Sequence, residues 1–103
     1  MTTTAELDAL IEELTVDAYN DEEQISGFLV GAEEALVRGE HATLAGVTVA
    51  VLRVDCGPDA RTGLTARVLR EGTKHEVALA DLTFAADSAL GVVVAAYRRW
   101  QGR

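Results

Sequence analysis

The chain has 103 residues, one cysteine, a net charge of −8 and 49% apolar residues. That length buries one core without disulfide or metal staples, and that apolar content excludes an acidic disordered tail. The charge is unevenly placed: residues 1–40 carry eleven acids against one base, Arg38, whereas residues 41–103 carry six acids against eight bases. An acidic first part attracts cations and basic partners and repels nucleic acid.

The N-terminal Thr2-Thr3-Thr4-Ala5-Glu6 has neither the basic nor the apolar region of a secretory signal. The longest apolar run, residues 89–97, is too short to cross a bilayer. The lone Cys56 cannot form an internal disulfide and suits a reducing compartment. The expectation is one cytoplasmic domain, 1–103, with neither membrane nor nucleic acid as partner.

Thr3 and Glu6 have capping-box spacing, and Leu7, Leu10, Ile11 and Leu14 follow at helical intervals. Asn20-Asp21-Glu22-Glu23 offers a second capping box, with acids placed at the positive end of a helix. Ile25, Phe28, Leu29, Ala32 and Leu36 form its apolar stripe, and Gly39 is its expected stop. Gly27 and Gly31 cost the helix roughly 1 kcal/mol each against Ala, so they predict close approach by another element, either within the chain or in a homodimer.

From Thr43 the period falls to two. Val47, Val49 and Val51 predict a strand whose phase slips at Leu52-Arg53-Val54, as at a bulge. Asp55-Cys56-Gly57-Pro58-Asp59 is a turn cluster, and Leu64, Ala66 and Val68 mark the next strand. Glu71-Gly72-Thr73-Lys74 predicts a tight hairpin with Gly72 first in a two-residue loop. His75, Val77 and Leu79 form the returning strand, and Leu82-Thr83-Phe84 is the fourth. Asp87 or Ser88 caps a last helix with the stripe Leu90, Val93, Val94 and Tyr97, and Arg98 and Arg99 suit its final turn. The predicted fold class is α+β: an acidic helical part (1–40), a small SH3-like four-stranded antiparallel barrel or meander (43–84), and a C-terminal helix (87–101).

No catalytic motif is present, which predicts a non-enzymatic protein. His41, His75 and Cys56 lack zinc-site spacing. Cys56 lies beside Asp55 and Asp59, whose charge disfavours a reactive thiolate. The chemistry-bearing stretch is Asp17-Ala18-Tyr19-Asn20-Asp21-Glu22-Glu23, with four carboxylates and an amide oxygen in seven residues. Hard cations such as Ca²⁺ take oxygen ligands of this kind. An EF-hand frame counted from Asp17 fails, because its sixth position is Glu22 rather than Gly and its twelfth is Phe28 rather than Glu. The residues therefore encode either a weak surface cation site or a capped helix start with a solvated acidic face. Tyr19 either offers its hydroxyl to that site or packs where two helices meet. The bases Arg61, Arg67, Arg70 and Lys74 form a patch on the β part that either contacts nucleic acid, which the overall −8 and few aromatics oppose, or faces and neutralises the acidic helices.

Val16-Asp17-Ala18-Tyr19 followed by Glu22-Glu23-Gln24 resembles the hallmark stretch of the CcbP-type calcium-binding proteins. Similarity continues through Val47–Val51, then Val77-Ala78-Leu79-Ala80-Asp81-Leu82, then Tyr97-Arg98-Arg99-Trp100, and spans roughly residues 10–100. The resemblance implies calcium held at an acidic surface without an EF-hand. Asp17, Asp21, Glu22 and Glu23, which match or flank that stretch, are the expected metal residues, and Glu12 and Glu13 add to the field. The expected function is a small calcium buffer or sensor. The alternative is a non-enzymatic interaction module whose acidic helices or barrel dock a partner, such as a basic protein.

Overall fold

A computed structural model describes residues 2–58 and 62–102. Asp59 and Arg61, assigned above to the turn cluster and the basic patch, lie outside the described residues. The elements are α1 (Thr4–Leu14), α2 (Asp21–Ala35), β1 (His41–Leu44), β2 (Val47–Cys56), β3 (Leu64–Arg70), β4 (Thr73–Ala78), a 3₁₀ turn (Leu79–Asp81) and α3 (Ala89–Gln101). This is the expected α+β architecture: two helices, a four-stranded antiparallel sheet and a closing helix.

α1 starts as its capping box dictates. Thr3 Oγ1 accepts the Glu6 N–H at 3.1 Å, and a Glu6 carboxylate oxygen lies 3.4 Å from the Thr3 N–H. Leu7, Leu10, Ile11 and Leu14 are half-buried against the core, as a narrow stripe requires. α2 ends at Ala35, four residues before the expected stop at Gly39. Leu36 leaves the helix in extended conformation and packs on the core. The chain can then deliver the Glu40 carbonyl to the Val51 N–H at 2.8 Å and enter the sheet. Gly39 instead supplies a left-handed turn, with φ +83°.

The sheet is a meander in the order β1-β2-β3-β4. The phase slip in β2 is a register shift between Val51 and Arg53, so Val49, Val51 and Val54 are buried while Leu52 and Arg53 are both exposed. Three assignments change. First, β1 is a strand the alternation did not reveal, joined to β2 through Ala45 and Gly46, both with positive φ. Second, the β3–β4 loop is Glu71-Gly72 rather than Gly72-Thr73. Both residues have positive φ (51° and 79°), the geometry whose twist matches the flanking strands. Third, Leu79 belongs to the 3₁₀ turn, and the supposed strand at 82–84 is a single bridge, Thr83 to Thr43.

α2 and α3 cover one face of the sheet. Ile25, Phe28 and Ala32 meet Leu90, Val93, Val94, Tyr97 and Trp100 over the valines and leucines of β2 and β3. Phe28 sits 5.5 Å from the Tyr97 ring and 5.3 Å from that of Trp100. The Tyr97 hydroxyl accepts the buried Leu64 N–H at 2.9 Å, which ties α3 to the start of β3. Arg98 donates to the carbonyls of Ala80 (2.7 Å) and Leu82 and so fixes the segment between sheet and helix. Ser88 caps α3 by accepting the Gly91 N–H.

Candidate metal site

The acidic stretch occupies the connector between α1 and α2 and the first turn of α2. Two contacts hold it. Thr15 closes α1, its N–H and its hydroxyl both donating to the Ile11 carbonyl (3.0 and 2.7 Å). Gly27 lies against the backbone of Leu14: a Cβ there would stand 1.9 Å from the Leu14 carbonyl oxygen. Gly31 faces the Leu14 side chain. The chain's own α1 fills the glycine ridge, so that surface is closed to a second copy.

Asp17 lies in the turn between the helices with φ +61°, a left-handed conformation that aspartate tolerates better than most residues. Asn20 caps α2, its Oδ1 accepting the Glu23 N–H at 2.8 Å. Glu23 completes a displaced capping box: its Oε2 accepts from the Tyr19 N–H at 3.0 Å rather than from the cap residue's own N–H. Asp21, Glu22 and Glu23 occupy the first turn of α2, where the helix end favours negative charge.

The sequence-selected residues Asp17, Asp21, Glu22 and Glu23 are therefore neighbours along one exposed connector. They do not converge. Among the described residues, no three His, Cys, Asp or Glu side chains group around a common point. Glu12 and Glu13 are exposed on α1. Tyr19 does not pack between the helices: it is 87% exposed, and Val16 beside it is 69% exposed. Helix capping, hidden from simple charge counting, already engages the Glu23 carboxylate.

Away from this stretch, the bases divide. Arg99 pairs with Asp8 across α3 and α1 (Nε–Oδ1 2.6 Å). Hydrogen bonding to Arg99, with its charge as a smaller cause, lowers the Asp8 pKa, and the same pair raises that of Arg99. Arg67, Arg70 and Lys74 make no ion pair among the described residues. His41 is exposed as the first residue of β1, His75 is exposed on β4, and Cys56 is an exposed free thiol.

No protein-family model and no curated protein sequence matches this chain. Two solved structures share its fold. One is described as the crystal structure of Anabaena CcbP. It is 19% identical, with a TM-score of 0.78 over 100% of this chain and 94% of its own. The other is described as a calcium binding protein in the calcium-binding form. It is also 19% identical, with a TM-score of 0.74 over 99% of this chain and 97% of its own. The remote resemblance in sequence thus extends to the whole fold.

Proposed function

We propose that this chain is a small calcium-binding protein that gathers Ca²⁺ at an acidic surface made by Asp17, Asp21, Glu22 and Glu23. The observation that carries this reading is the likeness, over the full chain, to two structures described as calcium-binding proteins. The donor chemistry fits, since carboxylate oxygens suit a hard cation. The arrangement fits an open site, in which water completes the coordination, rather than a cage. Clustered carboxylates raise the local cation concentration, and binding relieves their mutual repulsion. Exposed charges are screened over about 10 Å at 0.1 M salt, so binding weakens as salt rises. The chain acts as a cytoplasmic buffer or sensor without catalysis of its own.

The test is calorimetric titration of chelator-stripped protein with Ca²⁺, repeated with Mg²⁺ and at raised salt. Saturable heat that favours Ca²⁺ is expected. Calcium at ten times its Kd should also stabilise the fold by ~1.4 kcal/mol through mass action. The triple variant Asp21→Asn, Glu22→Gln, Glu23→Gln should lose both effects. It removes charge, while the side-chain amide oxygen introduced by Glu23→Gln can still accept the capping hydrogen bond. An unchanged calcium shift in that variant would put the site elsewhere.

A second reading rests on exposed Val16 and Tyr19 beside these acids. It takes the connector as the docking surface of a basic protein partner. Equal, weak and salt-erased responses to both ions would favour it.

A further inference from the structure

The two edges of the sheet differ. The outer edge of β1 is bridged by Thr83, with N–H to O distances of 2.8 and 2.9 Å to and from Thr43. The outer edge of β4 has no strand partner among the described residues. The hairpin register fixes which β4 peptide groups face outward. With Glu71-Gly72 as the loop, Arg70 and Thr73 close the hairpin as a hydrogen-bonded pair. Pairing then alternates: His75 and Val77 turn their peptide groups toward Val68 and Ala66 of β3, and Lys74 and Glu76 turn theirs outward. Every β4 residue except half-buried Val77 is exposed.

An edge with free donors and acceptors templates the addition of another strand, and charged side chains normally oppose this. Here the order of the charges makes the edge selective instead. Two β4 strands laid antiparallel about a two-fold axis at His75 place Lys74 opposite Glu76 of the second copy, and Glu76 opposite its Lys74. In that register the outward peptide groups of residues 74 and 76 also meet one another. Sliding the second strand to either neighbouring hydrogen-bonded register sets Glu76 against Glu76, or Lys74 against Lys74, and like charges directly opposite repel. Within one copy, Glu76 Oε1 accepts from Thr65 Oγ1 at 3.1 Å, and Lys74 has no ion pair among the described residues. Beside this edge a groove of about 420 Å³ runs from β4 to the β1–β2 hairpin over Leu44, Val47 and Val77. A strand added at β4 covers part of that apolar surface.

We propose that β4 is a self-association edge through which two copies join their sheets in the Lys74–Glu76 register. The proposal is independent of metal binding, so it is tested in chelator. Sedimentation velocity from about 1 µM to about 1 mM protein should show mass rising toward a dimer, as concentration-dependent association requires. Lys74→Glu and Glu76→Lys should each weaken association at least tenfold, and the double exchange K74E/E76K should restore it. General charge repulsion predicts otherwise, since E76K lowers the net negative charge and would then strengthen association. Both positions are exposed, so the apolar core is untouched. Glu76 also accepts from Thr65 and lies opposite Arg67 on β3, so urea unfolding of each variant separates a fold effect from an association effect. Amide exchange in the unaltered protein gives a second readout: the Lys74 and Glu76 N–H groups should exchange more slowly as concentration rises. A chain that stays monomeric, a double variant that does not recover, or exchange that ignores concentration would overturn the proposal.

Discussion

Replacing Gly27 by alanine tests what holds the acidic connector in place. The new Cβ would stand 1.9 Å from the Leu14 carbonyl oxygen and 3.0 Å from its carbon. Both atoms are backbone at the end of α1, so no rotamer relieves the overlap. Overpacking costs about 1–3 kcal/mol, and an immovable neighbour puts this site at the upper end. Alanine returns roughly 1 kcal/mol of helix propensity. The net expectation is a loss of about 2 kcal/mol, or roughly 10 °C in Tm for a domain of this size. Gly31→Ala is the matched control. Its Cβ would meet the Leu14 Cδ2 at 2.7 Å, the far end of a flexible side chain. Leu14 can rotate away, and the helix-propensity gain offsets most of the remaining cost, leaving a change within ~0.5 kcal/mol. Urea unfolding of both variants, followed by circular dichroism, reads the difference. Because Gly27 seats the end of α1, the variant should also weaken the proposed calcium binding. If Gly27→Ala were as stable as the parent, the account of α1–α2 packing would be wrong.

Two further variants probe other contacts. Tyr97→Phe removes the acceptor of the buried Leu64 N–H and should cost about 1–3 kcal/mol in urea unfolding. Asp8→Asn tests the α1–α3 ion pair through pH. The folded-state pKa of Asp8 is lowered by Arg99, so the pair's contribution is present above the unfolded-state value near pH 4 and is lost as pH falls through the folded value. The stability difference between parent and variant should therefore shrink on acidification below about pH 4 and should also shrink with salt. A difference that stays constant from about pH 6 to about pH 2 would contradict this, those limits lying well to either side of the carboxylate range.

Much of the fold was legible because local chemistry and tertiary packing agree. The Thr3–Glu6 box, the Asn20 cap, the Ser88 cap and the slip in β2 follow from side chains that act within a few residues. The errors fall where local signals are weak. His41–Leu44 has little alternation, and its turn, Ala45-Gly46, places alanine where asparagine is the usual signal. Glu71 at positive φ is unusual for glutamate, so Gly72 drew the hairpin one residue too far along. Tyr19 illustrates a different limit. An aromatic between two helices is expected to pack, yet the turn at Asp17 leaves it in solvent. For the proposed metal residues, order along the chain places all four on one connector. Their convergence depends on side-chain rotamers, which exposed carboxylates do not fix and which no sequence pattern encodes.

On the proposed reading, the placement of that connector also limits how tightly it would bind calcium. Three of the four carboxylates sit in the first turn of α2, whose end carries partial positive charge. Two unit charges about 4 Å apart attract by about 1 kcal/mol in water-like surroundings, so each carboxylate contributes roughly 2 kcal/mol to a divalent ion. Two carboxylates then supply roughly 4 kcal/mol, which corresponds to a millimolar site. The helix end opposes the ion by about 0.3–1 kcal/mol per unit charge, or roughly 1–2 kcal/mol for Ca²⁺. In this screened limit a third carboxylate would offset the opposing helix end, and Asp17 is the one of the four that stands off that end. The acids that stabilise the start of α2 would be partly withdrawn from that role by a bound cation on the proposed reading. On the proposed reading, this opposition between capping and coordination would make the crowded acidic stretch a weak, salt-sensitive, readily reversible site.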